Sequence, residues 1–136
     1  MRIVLDTNVL LVSISRRSRF HPIFQCFENK AFTLLVTTDI LLEYEETIHW
    51  HMGAETAKNI LEGFQRVSNI AHIQKYSYWN LIIHDHDDDK FVDCAVAGNA
   101  DFLVTNDNHF NILKKVPFPK VEVLTAEAFL ELLAAK

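Results

Sequence analysis

Carboxylates recur at places in this chain where the backbone could bring them together. Asp6 closes the apolar run Ile3-Val4-Leu5, Asp107 closes Leu103-Val104-Thr105-Asn106, an acid run holds Asp85, Asp87, Asp88 and Asp89, and Glu43 lies in a helix-like stretch. Several carboxylates sharing a pocket repel one another unless a cation compensates. An all-oxygen donor set suits Mg²⁺ or Mn²⁺. The chemistry such a pocket supports is phosphodiester hydrolysis: an activated water attacks phosphorus in line while a second ion, or a Lys or Arg, stabilises the leaving oxygen. No side-chain nucleophile is required.

The elements that must position these acids follow from the apolar pattern. Short β-rich runs fall at Ile3 to Leu5, Phe32 to Val36, Ile70 to Ile73, Phe102 to Val104 and Val121 to Leu124. Helix-like stretches lie between them: Val9 to Ile14 capped by Asn8, Pro22 to about Asn29, a third capped by Thr37 or Thr38 and carrying Ile40, Leu41, Tyr44 and Ile48, then Ala54 to Val67, a fifth opened by Asp87 or Asp88, and a last opened by Thr125. Strands alternating with helices predict a three-layer α/β/α sandwich around a mainly parallel sheet, since parallel strands need crossovers of about a dozen residues or more. Three glycines, three prolines and no repeat leave no obvious linker, so residues 1–136 are read as one domain. In such sheets ligands bind beyond the carboxyl ends of the strands, which is where Asp6 and Asp107 fall.

Helical phase helps choose among the other acids. Asp88 lies on the line of Val92, Ala95, Val96 and Asn99, whereas Asp89 and Asp93 stack along the edge of that stripe. Glu43 stands at one margin of the stripe formed by Ile40, Tyr44 and Ile48, and Glu45 at the other; periodicity does not separate them. Each acid also has an ordinary structural reading, as a turn former, a helix cap or part of a wet helix face.

The net charge of −5 argues against a broadly basic surface for nucleic acid. Local cations remain at Arg16, Arg17 and Arg19 in one loop and at Lys114, Lys115 and Lys120 near another, with solubilising roles as the alternative. Cys26 and Cys94 lie in apolar patterns without metal-type spacing and read as buried thiols. With no secretory signal and no run long enough to span a bilayer, a cytoplasmic location is expected. The pairs His49/His51 and His84/His86 could share zinc on a strand, but neither segment reads as one. His109 reads as a solvated turn histidine, with contact to substrate phosphate as the alternative. Trp50, Trp79 and the Tyr76-Ser77-Tyr78 stretch suit core or dimer packing, with base stacking as the alternative. An aspartyl-phosphate enzyme is disfavoured because Asp6-Thr7-Asn8 lacks the second Asp of that type.

The stretches Val4-Leu5-Asp6-Thr7-Asn8-Val9-Leu10, Leu41-Leu42-Glu43-Tyr44, Asp87 to Ala95 and Ala100 to Asp107, in that order over nearly the whole chain, resemble a PIN domain, and more narrowly the subgroup described as toxin components of bacterial toxin–antitoxin pairs. The resemblance implies a Mg²⁺- or Mn²⁺-dependent ribonuclease acting on single-stranded RNA and leaving 5′-phosphate and 3′-hydroxyl ends. It also implies a homodimer and an antitoxin partner. By position, Asp6, Glu43, Asp88 and Asp107 become the catalytic and metal-binding acids, with Asn8 steadying Asp6 and Thr105 supporting Asp107. The commonest family spacing from Thr105 gives Asp89 as the third acid; the subgroup pattern and the helical stripe give Asp88, which we prefer, with Asp89 and Asp93 as auxiliary acids. A catalytically silent metal-binding interaction module is the alternative function.

Overall fold

Each apolar run of the sequence contributes a strand, and the three central strands are buried on both faces. In the computed structural model, which describes residues 1–74, 79, 81–82 and 86–136, Ile3, Val4, Leu34, Leu35, Val36, Leu103 and Val104 are all buried. Successive strand residues face opposite sides, so helices must cover both. The elements run β1 (Arg2–Leu5), α1 (Thr7–Ile14), α2 (His21–Glu28), β2 (Thr33–Val36), α3 (Thr38–Met52), α4 (Ala54–Arg66), β3 (Ile70–His72), a 3-10 turn (His86–Asp88), α5 (Asp89–Ala97), β4 (Phe102–Val104), a 3-10 helix (Asn108–Lys115), β5 (Val123–Leu124) and α6 (Ala126–Ala134).

The sheet order is β3-β2-β1-β4-β5, parallel throughout. The chain passes from β1 to β2 and β3 and then back across to β4 and β5, and since parallel crossovers are right-handed as a rule, this places α1 to α4 over one face and α5 over the other. Packing agrees: α1 lies against α2 and α3, α3 against α4 and α6 against α2, while α5 crosses β1, β2 and β4. This is the expected three-layer sandwich. On the larger face Phe27 meets Phe64 edge-on at 5.5 Å between centroids and Phe32 meets Phe129 at 5.3 Å, knitting α2, α4 and α6 over the sheet. The chain's direction of travel reverses between β1 and β4. Loops leaving those two strands part to opposite faces and open a crevice at their carboxyl ends.

Local chemistry sets the ends. Thr37, rather than Thr38, caps α3 by accepting from the Ile40 N–H at 3.2 Å, and Thr125 caps α6 through the Ala128 N–H at 3.1 Å. Asn8 does not cap α1. That helix starts two residues earlier, with Asp6 at the N-cap and Asn8 exposed on the first turn. The acid run opens α5 through a 3-10 turn, and α5 is buried from Phe91 through Ala95 because it lies over the middle of the sheet. Asn99, expected on its stripe, instead follows the helix at a φ of 51°, a left-handed conformation that Asn tolerates. Cys94 is buried and Cys26 partly so, both as free thiols; burial pushes the Cys94 thiol up to about 12. Among the described residues no helix is long and apolar enough to cross a membrane.

Candidate active site

Asp6 leaves β1 at the switch point. Its N–H donates to the Val104 carbonyl at 3.0 Å, which ties it to β4, and its own carbonyl accepts from Val9 and Leu10 as α1 begins. An Asp at an N-cap usually spends its carboxylate on the first helical N–H groups. This one makes no side-chain cap bond; its Oδ2 accepts from the Thr105 hydroxyl at 2.7 Å. The carboxylate is only 6 % exposed. Burial raises its pKa above the ordinary value of 3.8; hydrogen bonds from Thr105 and the Thr7 backbone oppose the rise, and the charges of Glu43 and Asp107 add to it.

Thr105 serves two acids at once. While its hydroxyl donates to Asp6, the same oxygen accepts the Asp107 N–H at 3.0 Å. Asp107 then caps the following 3-10 helix, Oδ1 accepting from the His109 N–H at 2.9 Å. Thr105 is thus fully used between the two strand-end acids, a closer part than the supporting one expected of it. Asn8, expected to steady Asp6, is exposed; the neighbouring Thr7 is buried and donates through its hydroxyl to Glu43 Oε2.

Tertiary packing resolves the choice between Glu43 and Glu45. Glu43 reaches the crevice, held by Thr7 on one side and by the Lys90 ammonium at 2.6 Å on the other. Glu45 turns outward into the groove between α3 and α4, beside His49, Lys58 and Glu62. Lys90 and Thr7 were not singled out from the sequence. The available signal was position: each directly follows a candidate acid.

The acid run divides by role. Asp88 is buried, and its Oδ2 lies 3.7 Å from His109 Nδ1, which is itself 3.4 Å from Asp107 Oδ1. Asp88, Asp107 and His109 can each offer one donor atom, all within 4.8 Å of one another. Asp89 and Asp93 are buried too, but accept main-chain N–H groups, Asp89 from Ile82 at 2.8 Å and Asp93 from Trp79 at 3.0 Å. Burial raises the Asp93 pKa, with the Trp79 N–H opposing and the charge of Asp89 adding. These two acids fasten Trp79 and Ile82 to α5. Asp85 and His84 lie outside the described residues.

The other candidates separate from the site. His49 and His51 sit on α3 two residues apart, so their imidazoles diverge by roughly 200° and cannot share zinc. Arg19 pairs with Glu127 of α6 at 3.0 Å and stacks on Phe20. Trp79 packs edge-on against Phe118, Trp50 is 84 % exposed, and Tyr76-Ser77-Tyr78 fall outside the described residues.

Lys90 offers a direct test of the charge balance. Lys90→Met should destabilise the metal-free protein by about 1–3 kcal/mol, between the surface and fully buried cases, because Glu43 loses a close, partly shielded cation. It should also tighten Mn²⁺ binding, since an ion at the carboxylates would no longer compete with the ammonium. Urea unfolding and Mn²⁺ titration read both effects; unchanged stability together with unchanged affinity would show that the pair does not matter.

The geometry can be set beside known proteins. The profile of the PIN domain family matches residues 2–109, a span holding every acid of the crevice. No curated protein sequence matches the chain. Among solved structures, a chain of VapBC2 from Rickettsia felis, bound to a DNA fragment from their promoter, superposes with a TM-score of 0.64 at 21 % identity, covering 92 % of this chain and 98 % of that one. A chain of DNA-bound VapBC from Salmonella typhimurium superposes with a TM-score of 0.56 at 15 % identity, covering 93 % and 98 % respectively. At these identities the superpositions speak for the fold alone, while the family match spans most of the sequence and all of the acidic crevice: the chain belongs to the PIN domain family.

Proposed function

We propose that residues 1–136 form one nuclease domain that hydrolyses single-stranded RNA with Mg²⁺ or Mn²⁺ and acts as the toxin of a toxin–antitoxin pair. The observation that carries this reading is the meeting of Asp6, Glu43 and Asp107 at the switch point of the sheet, where Asp6 is coupled electrostatically to both partners, with Asp88 beside Asp107. A crowded, buried carboxylate cluster costs free energy that a divalent cation offsets, so the donor set fits such an ion. Asp6, Glu43, Asp88 and Asp107 would hold it.

A divalent cation bound there would acidify a water and neutralise charge developing on the phosphoryl oxygens. The chain's own residues do the positioning. Thr105 fixes the separation of Asp6 and Asp107, and Thr7 orients Glu43. Asp107, half-exposed at the mouth, or Glu43 can take the proton of the attacking water. As the P–O3′ bond breaks, the 3′ oxygen takes a proton from solvent and leaves as a hydroxyl, and the 5′ side keeps the phosphate. Lys90 stands close enough to the carboxylates to meet a phosphate that enters between α3 and α5.

Partner and setting are part of the proposal. The likeness to chains of two DNA-bound VapBC complexes supports an antitoxin partner, and exposed Leu42 and Trp50 on α3 supply apolar surface for a homodimer. The free thiols fit a cytoplasmic protein. Incubating the purified chain with end-labelled single-stranded RNA tests the activity: cleavage with Mn²⁺ and none with chelator is expected. Absence of cleavage in both metals would return the protein to a silent binding role.

The same assay ranks the acid run. Because Asp88 faces the Asp107 corner while Asp89 and Asp93 hold main-chain N–H groups, Asp88→Asn should cost the most activity, and Asp89→Asn or Asp93→Asn mainly stability. If Asp89→Asn, still folded, proves the least active, the commoner family spacing locates the third acid instead.

A further inference from the structure

An imidazole stands in the same corner as two of the carboxylates. By capping the 3-10 helix Asn108–Lys115, Asp107 binds the His109 N–H and fixes the main chain of that residue above its own carboxylate. The chain separation of Asp88 from the other two means that this corner exists only once α5 and β4 are docked. The 3.4 and 3.7 Å distances from His109 Nδ1 to Asp107 Oδ1 and Asp88 Oδ2 exceed those of a good N–H···O hydrogen bond, which ends near ~3.2 Å. They lie between the two separations that ligands of a six-coordinate ion adopt, so a small turn of the half-exposed imidazole brings Nδ1 into place. With bonds of about 2.1 Å, adjacent ligands stand ~3 Å apart and opposite ones ~4.2 Å.

We propose that His109 is itself a ligand of the divalent ion, through Nδ1 beside Asp88 and Asp107, and that this nitrogen biases the site toward Mn²⁺ over Mg²⁺. The inference rests on the metal-dependent reading above and replaces the all-oxygen donor set expected from the sequence. Mg²⁺ is hard, prefers oxygen and gives up its waters reluctantly, whereas Mn²⁺ accepts imidazole among carboxylates. His109 is 47 % exposed at its side chain, so it can turn onto an ion without first leaving an apolar site.

Pulsed EPR on the full chain loaded with Mn²⁺ decides the matter. The echo modulation should contain a ¹⁴N coupling of directly bound imidazole, and the coupling should vanish in His109→Asn while Mn²⁺ stays bound to the carboxylates. In thermal-shift titrations the variant should bind Mn²⁺ at least about tenfold more weakly, as loss of even an outer supporting group costs 10- to 100-fold, with little change for Mg²⁺. Bound Mn²⁺ without nitrogen coupling in the parent, or coupling that survives in His109→Asn, overturns the assignment of His109 and leaves the carboxylate site standing. Failure of the parent to bind Mn²⁺ overturns both. Since the decisive spectrum is taken on the parent, the result does not depend on how the variant folds.

Discussion

Asp6→Asn is expected to fold as the parent does and to lose metal-dependent RNA cleavage by more than about 100-fold, beyond the upper end of what losing an outer supporting group costs at a metal site. The side-chain amide keeps the size of the carboxylate and still offers an oxygen to the Thr105 hydroxyl, so the bond joining β1 to β4 survives. The negative charge is lost. Asp107→Asn should behave alike, because Asn is also a good N-cap and can accept from the His109 N–H as Asp107 does. A residue whose only duty was to turn the chain would tolerate either change. Cleavage at the parent rate, in Mg²⁺ and in Mn²⁺, by either purified and folded variant would remove that acid from the catalytic set. Circular dichroism and thermal melts on the same samples establish the folding.

The site was legible where one strand and its turn determine it. Asp6 and Asp107 lie just past apolar runs, and parallel strands present their carboxyl ends on one edge, so the strand pattern puts both acids on that edge; their proximity comes from the pairing of β1 with β4. Glu43 was not separable from Glu45 by phase, because the two lie at equivalent margins of the α3 stripe; the choice is made by Thr7 and Lys90, which arrive from α1 and α5. Placing Asn8 at the cap misjudged the start of α1 by two residues, or about 200° of rotation. That rotation is what turns Thr7 inward and leaves Asn8 in solvent. Asp89 and Asp93 gave no sequence signal of their structural duty, since the groups they bind, the Ile82 and Trp79 N–H, belong to a segment with no regular pattern. The 3-10 helix after Asp107 was likewise unread. Its three-residue repeat is too short to leave a distinct apolar period, and with it went the placement of His109.

The metal-free protein should lose stability as pH rises, and Asp6 should account for part of that loss. Its folded pKa is raised above the 3.8 of an unperturbed carboxyl, mainly by burial. Between those two values the folded chain holds a proton that the unfolded chain has released, so the slope of unfolding free energy with pH is negative there. Above the folded pKa the loss is complete and the contribution levels off. Asp93, raised by burial as well, adds a slope of the same sign. Asp6→Asn removes the ionising group, so the metal-free variant should be more stable than the parent near neutral pH and closer to it near pH 4, a difference from which Asp93 cancels. Divalent ions oppose the trend by binding the native crevice. At about ten times the dissociation constant the gain is roughly 1.4 kcal/mol, or about 3–5 °C in Tm for a domain of this size. The variant, lacking one carboxylate, should gain less. Thermal melts of both proteins at about pH 4 and 7.5, stripped of metal or, at the higher pH, with excess Mn²⁺, measure each quantity. Equal Mn²⁺ shifts in parent and Asp6→Asn would mean that the ion binds away from Asp6, and equal metal-free stability near neutral pH would mean that burying this carboxylate costs the fold nothing.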